Sequence, residues 1–380
     1  MFLRPIRLAA LAFCAGLFMT APAHALSMPA DQSAAVIFAY FAVGNDDNPA
    51  GSLTTEQFTA QIDELTSGGY TVLPLADVID AFNSGKPLPD RSVVLTFDGA
   101  DKSVRDIALP LLEEHDLPFT VFIPADRVSA GAPPAMDWDD LRALKRSGHA
   151  SFGIQSAAYS RLTGASDVEV KRQINSSIAA VRDELDVQPL FFAYPFGDYD
   201  DAYKNVIKSM GFKAAFGQQS GVASIKDDRY ALPRFTLTET YGDIDRFIMA
   251  ANALPLPVQD ISPTDPHLHT LTPAIGFTVA DDMSKYLKNL SCFSSSEEKP
   301  KLEILNSRVE LRFSNPFDED RPRINCTLPV PAVAGEDPRW RWFGVLYTVP
   351  QDLLQAAQSA KEKTSAQHDA ADVSDSINIE

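Results

Sequence analysis

From Ala34 to Ala251 the chain alternates short apolar runs with amphipathic segments, and no other feature constrains the fold as strongly. The runs "AAVIFAYF" (34–41), "VVLTF" (93–97), "PFTVFIPA" (118–125) and "LFFAYPFG" (190–197) read as buried strands. Between them Phe58, Ile62 and Leu65 recur at helical spacing until Gly68 and Gly69 end the pattern. A further helix is predicted to open near Ser103, and another at Ser166, where Glu169 stands at capping-box spacing. Alternating β and α elements on this scale predict a parallel sheet or barrel. The strand at 93–97 runs straight into Asp98, then Gly99, Ala100 and Asp101. Carboxylates at the C-terminal tips of parallel strands stand where such folds place their ligands.

The chain has 380 residues, more than one ordinary domain. After Leu254 a proline-rich stretch, "LPLPVQDISPTDP", leads into segments such as "KLEILNSRVELRFS" and "RWRWFGVLYTV", which alternate as antiparallel strands do. The expectation is an α/β unit over residues 26–254, a small all-β, sandwich-like unit over 255–350, and a polar tail over 351–380 that starts with helical character and ends disordered.

Residues 1–25 carry Arg4 and Arg7, an apolar run and then Ala23, His24 and Ala25, the pattern of a cleavable signal peptide. This predicts a periplasmic or secreted protein with no membrane segment once the signal is removed. Cys292 and Cys326 are then the remaining cysteines, and an oxidising compartment predicts that they form a disulfide. The net charge of -18 argues against nucleic acid or an anionic membrane as partner and tolerates a neutral or cationic ligand. In "DPHLH", Asp265, His267 and His269 read as a polar strand edge, and of Trp340 and Trp342 at least one is expected in the core.

The segments "GYTVLPLADVIDAFNSGKPLPDRSVVLTFD", "ALPLLEEHDLPFTVFIPAD", "WDDLRALKRSGH", "FFAYPFGDYD" and "LPRFTL" come in an order that resembles the polysaccharide deacetylase family (the NodB homology domain, carbohydrate esterase family 4). The branch it looks most like contains the secreted poly-N-acetylglucosamine deacetylases. The resemblance implies a distorted (β/α)7 barrel with its groove at the C-terminal ends of the strands. It also implies removal of N-acetyl groups from a sugar polymer by a divalent metal, usually zinc, held by one carboxylate and two histidines. An aspartate serves that family as base and a backbone N–H stabilises the oxyanion.

Carried over position by position, Asp98 stands where the family has its base, but Gly99 replaces the metal-binding aspartate. Gln155 and Tyr159 fall on the two histidine positions, with Ser156 between them, and Phe41 follows Tyr40 where many members have histidine. Phe196 stands where a backbone amide faces the oxyanion, and Tyr194, Pro195 and Arg234 match the groove wall. His115 and His149 lie off the strand tips and read as structural or solvated. The resemblance therefore implies a substrate site on Asp101, Gln155, Tyr159, Tyr194, Pro195 and Arg234, with no metal cofactor because all three ligands are replaced. The favoured reading is a protein that binds N-acetylhexosamine polysaccharide with impaired catalysis, alone or beside an active envelope enzyme. Two others stay open: an active N-deacetylase with an atypical site on Asp98 and Asp101, and a structural envelope protein.

Overall fold

Seven parallel strands form the first unit: β1 (Ala34–Tyr40), β2 (Ser92–Asp98), β3 (Phe119–Ile123), β4 (Ala150–Ile154), β5 (Phe191–Ala193), β6 (Ala214–Phe216) and β7 (Phe235–Thr236). They hydrogen-bond in chain order from β1 to β6, and β7 lies on the free side of β1. Leu232, just before β7, bridges Phe216 of β6, so the sheet curls nearly shut into the expected seven-stranded barrel. The computed structural model describes residues 31–45, 47–131, 133–330 and 338–359, so the expected signal peptide lies outside the described residues.

Every residue of β1 and β2 is buried, because helices cover one face and the barrel interior the other. The helix Thr55–Ser67 buries Phe58, Ile62 and Leu65 and starts with a closed capping box between Thr54 and Gln57. At the helix Asp167–Leu185 the expected box is half made. Ser166 accepts from the Glu169 N–H, but the Glu169 carboxylate turns to Arg172, an ion pair one turn along the exposed face. The helix expected from Ser103 begins as a wide π-turn over Val104–Ala108 before Leu109–Glu114 continues as α-helix. That widening follows directly on the Asp98–Ser103 loop.

The second unit is two four-stranded sheets. One runs β8 (Leu254–Pro255), β15 (Trp340–Leu346), β14 (Arg323–Pro329), β11 (Ser291–Ser294), and the other β9 (Val258–Ser262), β10 (Ile275–Val279), β13 (Arg308–Arg312), β12 (Lys301–Leu305). Phe277, Val309, Leu311, Ile324, Leu328 and Tyr347 are among the residues of its core. Cys292 and Cys326 face each other across β11 and β14 and are bridged. His267 bonds Thr348 through its ring Nδ1 at 2.8 Å and sets its ring edge against His269, as a polar strand edge does. The tail starts ordered: residues 351–359 are helical and Leu354 is buried in the sandwich core, while 360–380 lie outside the described residues.

The two units are fused through β15. Trp342 is buried in the barrel's core and packs edge-on to Phe235 with ring centroids 5.1 Å apart. Next to it Arg341 reaches Asp31 through two bonds of 2.7 and 2.8 Å, and Arg339 holds Asp90. Gly344 passes so close to the barrel that a Cβ there would stand 2.1 Å from the Ser220 carbonyl oxygen.

The bridge closes a loop with a sequence separation of 34. Replacing both cysteines by serine is expected to lower stability by about 3–4 kcal/mol on the chain-entropy estimate. Urea denaturation measures the loss, and a thiol assay on the denatured, unreduced protein should find no free thiol.

Candidate functional site

The β2 tip carries the central charge of the site. Asp98 is almost wholly buried and meets Arg234, itself fully buried, in a two-bonded fork: each carboxylate oxygen accepts from a different guanidinium nitrogen at 2.7 Å. Arg234 also donates to the Gly217 carbonyl (2.9 Å) and to Thr96 Oγ1 (3.1 Å), whose hydroxyl donates to the Phe38 carbonyl at 2.6 Å. A planar guanidinium with donors on three nitrogens suits such a buried junction; an ammonium would not.

At the positions that would hold the family's metal, the chain makes contacts of another kind. Gly99 has φ +91, a left-handed conformation in which an aspartate costs about 1–2 kcal/mol. A Cβ on it would stand 3.8 Å from an Arg127 guanidinium nitrogen. Gln155 is fully buried and spends its Oε1 on the Gly99 N–H at 3.0 Å, leaving its Nε2 without a hydrogen-bond partner. Tyr159, half-buried, packs against Phe196 with the rings tilted and 5.0 Å apart and lies under Arg127 at 5.1 Å. Burial, then the Asp98 charge, push the Tyr159 phenol well above its ordinary range, so it stays a neutral phenol.

These groups do not fit a divalent metal. Glycine offers no side-chain donor, the free atom of Gln155 is an amide N–H2, Tyr159 is a neutral phenol, and a guanidinium stands beside the vacated carboxylate position. Among the described residues no group of three or more His, Cys, Asp or Glu could hold an ion either. Of the barrel histidines, His149 bonds Asp116 through its ring Nε2 at 3.0 Å and His115 caps the helix Leu109–Glu114.

Phe196 occupies a left-handed turn after β5, with φ 60 and ψ 1. Its carbonyl accepts from Arg321 of the second unit. Beside it Asp198, fully buried, takes ion pairs from Arg321 at 2.9 Å and Arg161 at 3.0 Å. Burial outweighs both guanidinium groups and moves the Asp198 carboxyl above its usual range. Arg161 also pairs with Asp320 at 2.8 Å, so the turn is clamped from both units.

Asp98, Gly99, Asp101, Tyr159 and Phe196 line a cleft of about 540 Å³, together with Phe41, Asn45, Asn48, Thr238 and Tyr241. Asp101 is fixed there by the Ser103 N–H (2.9 Å) and hydroxyl (2.6 Å), which makes it a loop-setting carboxylate. Gln155 and Arg234 lie just behind the lining. Tyr194 and Pro195, expected at the groove wall, face elsewhere: Tyr194 is a core residue whose hydroxyl donates to the Tyr230 carbonyl, and Pro195 is buried in the turn. The opposite wall comes from the sandwich, as Arg321, Arg323 and Asn325 at the start of β14. These three escaped the sequence reading. Their only signal was alternate polar positions on a strand far along the chain from Asp98.

Residues 85–215 match the family model for polysaccharide deacetylase. Within the barrel, the chain is similar to the polysaccharide deacetylase family over those residues. A poly-β-1,6-N-acetyl-D-glucosamine N-deacetylase of Staphylococcus aureus is 25% identical over 213 residues, 53% of this chain and 73% of the relative. The Escherichia coli protein of the same name is 24% identical, and there the match covers 46% of this chain and 32% of the relative. Among solved structures, IcaB from Ammonifex degensii superposes with a TM-score of 0.53 at 19% identity, covering 58% of this chain and 97% of that one. The Streptococcus pyogenes deacetylase PplD gives 0.51 at 20% identity, covering 55% and 94%. Both structural matches bear on the fold of the deacetylase-family barrel.

Within that barrel the Asp98–Arg234 pair predicts an asymmetric response to mutation. Arg234→Met strands a buried carboxylate and is expected to cost about 3–5 kcal/mol. Adding Asp98→Leu should recover most of the loss, as followed by urea denaturation; a double variant as unstable as the single one would contradict this account of the pair.

Proposed function

We propose that this is an exported protein that binds polysaccharide containing N-acetylhexosamine in the cleft at the barrel's C-terminal end, and that it does not carry out the family's metal-dependent hydrolysis. One observation carries the second half: the Gln155 amide is spent on the Gly99 N–H, at two of the three positions where the family's ligands would stand. The first half is supported by relatives named for acting on poly-β-1,6-N-acetyl-D-glucosamine and by the make-up of the cleft. Phe41, Tyr159, Phe196 and Tyr241 offer faces for sugar rings, and Asn45, Asn48, Thr238 and Asn325 offer partners for hydroxyl and acetamido groups. Asp98, held ionically by Arg234, serves as an acceptor at the floor. The signal-type leader, the Cys292–Cys326 bridge and a described chain in which no helix is long and apolar enough to cross a membrane support export.

Purified mature protein is expected to carry far less than one zinc per chain and to release no acetate from β-1,4- or β-1,6-linked N-acetylglucosamine oligomers, while binding them in calorimetry. Tyr159→Ala should weaken that binding about 10-fold, the order of one lost ring-stacking contact. Stoichiometric zinc whose removal by chelator abolishes acetate release would establish the active-enzyme reading instead.

A further inference from the structure

Arginines gather in the cleft on a chain that carries 51 acidic and 33 basic residues. Arg127, Arg246, Arg321 and Arg323 line it, against the carboxylates of Asp98 and Asp101. The charges are further apart than that count suggests. Asp98 is neutralised from behind by Arg234, and Arg321 is taken by Asp198. Among the described residues, Arg127, Arg246 and Arg323 make no ion pair with any carboxylate.

All three are held by contacts that position a guanidinium without cancelling its charge. Arg127 lies over the Tyr159 ring at 5.1 Å and Arg246 over the Tyr241 ring at 4.9 Å. Arg323 donates to the Gln218 carbonyl at 3.2 Å. Burial lowers the proton affinity of both Arg246 and Arg323, and at Arg323 the neighbouring Arg321 adds to it while Asp198 and Glu319 offset it only in part. A further unspent donor stands alongside: the buried Nε2 of Gln218 in the cleft lining has no partner. Arg127 itself stands beside the position where the family would place a metal-binding carboxylate. Where a deacetylase of this family draws an acetyl oxygen to a cation, this cleft presents fixed cations and donors to its ligand.

We infer that the cleft selects an acidic glycan, in which N-acetylhexosamine units alternate with sugars carrying a carboxylate, the guanidinium groups receiving that carboxylate while the aromatic and amide side chains take the sugar faces. This rests on the glycan-binding reading and specifies its substrate class. Guanidinium forks match planar carboxylates with two parallel bonds, and such charge-assisted bonds are stronger than bonds to a neutral hydroxyl. The negative charge of the chain as a whole repels polyanions elsewhere on its surface, so binding of one points to this cleft. A sugar-borne sulfate offers the same oxyanion chemistry, and the test separates the two.

The experiment is calorimetry on the unmodified mature protein with four hexasaccharides: alternating N-acetylglucosamine and glucuronate, the carboxyl methyl ester of that oligomer, chitohexaose, and O-sulfated chitohexaose. The uronate oligomer is expected to bind about 10-fold tighter than its ester, an advantage that shrinks as salt is raised. Arg246→Gln and Arg323→Gln should each remove most of the difference between the uronate oligomer and its ester. Arg142→Gln, on the helix Trp138–Ser147 and outside the cleft, should leave that difference unchanged. If only the sulfated oligomer gains over chitohexaose, the oxyanion site stands with sulfate as its source. Equal affinity for the uronate oligomer, its ester and both chitohexaoses overturns the inference and leaves the glycan reading intact. Binding of none of the four overturns both. The ester comparison uses the unmodified protein, so it decides the matter even if an arginine variant fails to fold.

Discussion

The fork between Asp98 and Arg234 is the contact on which the rest of the site depends. It joins the tip of β2 to the segment entering β7, and through Gly217 and Thr96 it reaches the end of β6 and the middle of β1. Four strands that are distant in sequence are thereby set in one register at the C-terminal end of the barrel. A buried ion pair is costly to desolvate and adds little net stability over an apolar replacement, but it tolerates few geometries. Its contribution here is to hold the cleft floor in one arrangement, with the carboxylate facing the lining.

The sandwich completes the cleft. Arg321 grips the Phe196 carbonyl and Asp198, and Arg323 and Asn325 stand in the wall, so the barrel alone would present an open shelf. Trp342 in the barrel core and the close pass of Gly344 against Ser220 leave little freedom between the units. The sandwich therefore sets which ligands fit, in the same way that inserted loops set specificity on other α/β barrels.

The side chains around Gly99 give the site a polarity suited to anions. Two imidazoles and a carboxylate would attract a cation; an amide N–H2, a protonated phenol and a guanidinium repel one and attract an anion. Gly99 and Tyr159 both take left-handed backbone, and the Gln155 side chain bonds the Gly99 N–H, so the loops at the floor are fixed by contacts among these residues.

A parallel α/β sheet or barrel was legible in the chain because buried parallel strands and amphipathic helices have different hydrophobic periods, as 93–97, 118–125 and 34–41 display, while the count of seven strands came from the resemblance to the deacetylase family. The antiparallel pairing of β12 and β13 and the Cys292–Cys326 bridge were readable from alternation and from two cysteines left in an oxidising compartment; that one of Trp340 and Trp342 is buried was expected too, but not that Trp342 enters the barrel's core. That positions 99, 155 and 159 carry neither carboxylate nor imidazole is written in the sequence, but what those residues bond to is not. Tertiary structure alone decided that Asp101 spends its carboxylate on Ser103 and that Tyr194 turns into the core, because a strand and the turn after it switch faces at an angle that periodicity does not encode. It alone also decided that Arg321 and Arg323 close the cleft around Asp98. The charge of a site is a sum over everything that folding brings within a few ångströms, and residues from separate domains enter that sum only once the chain has closed.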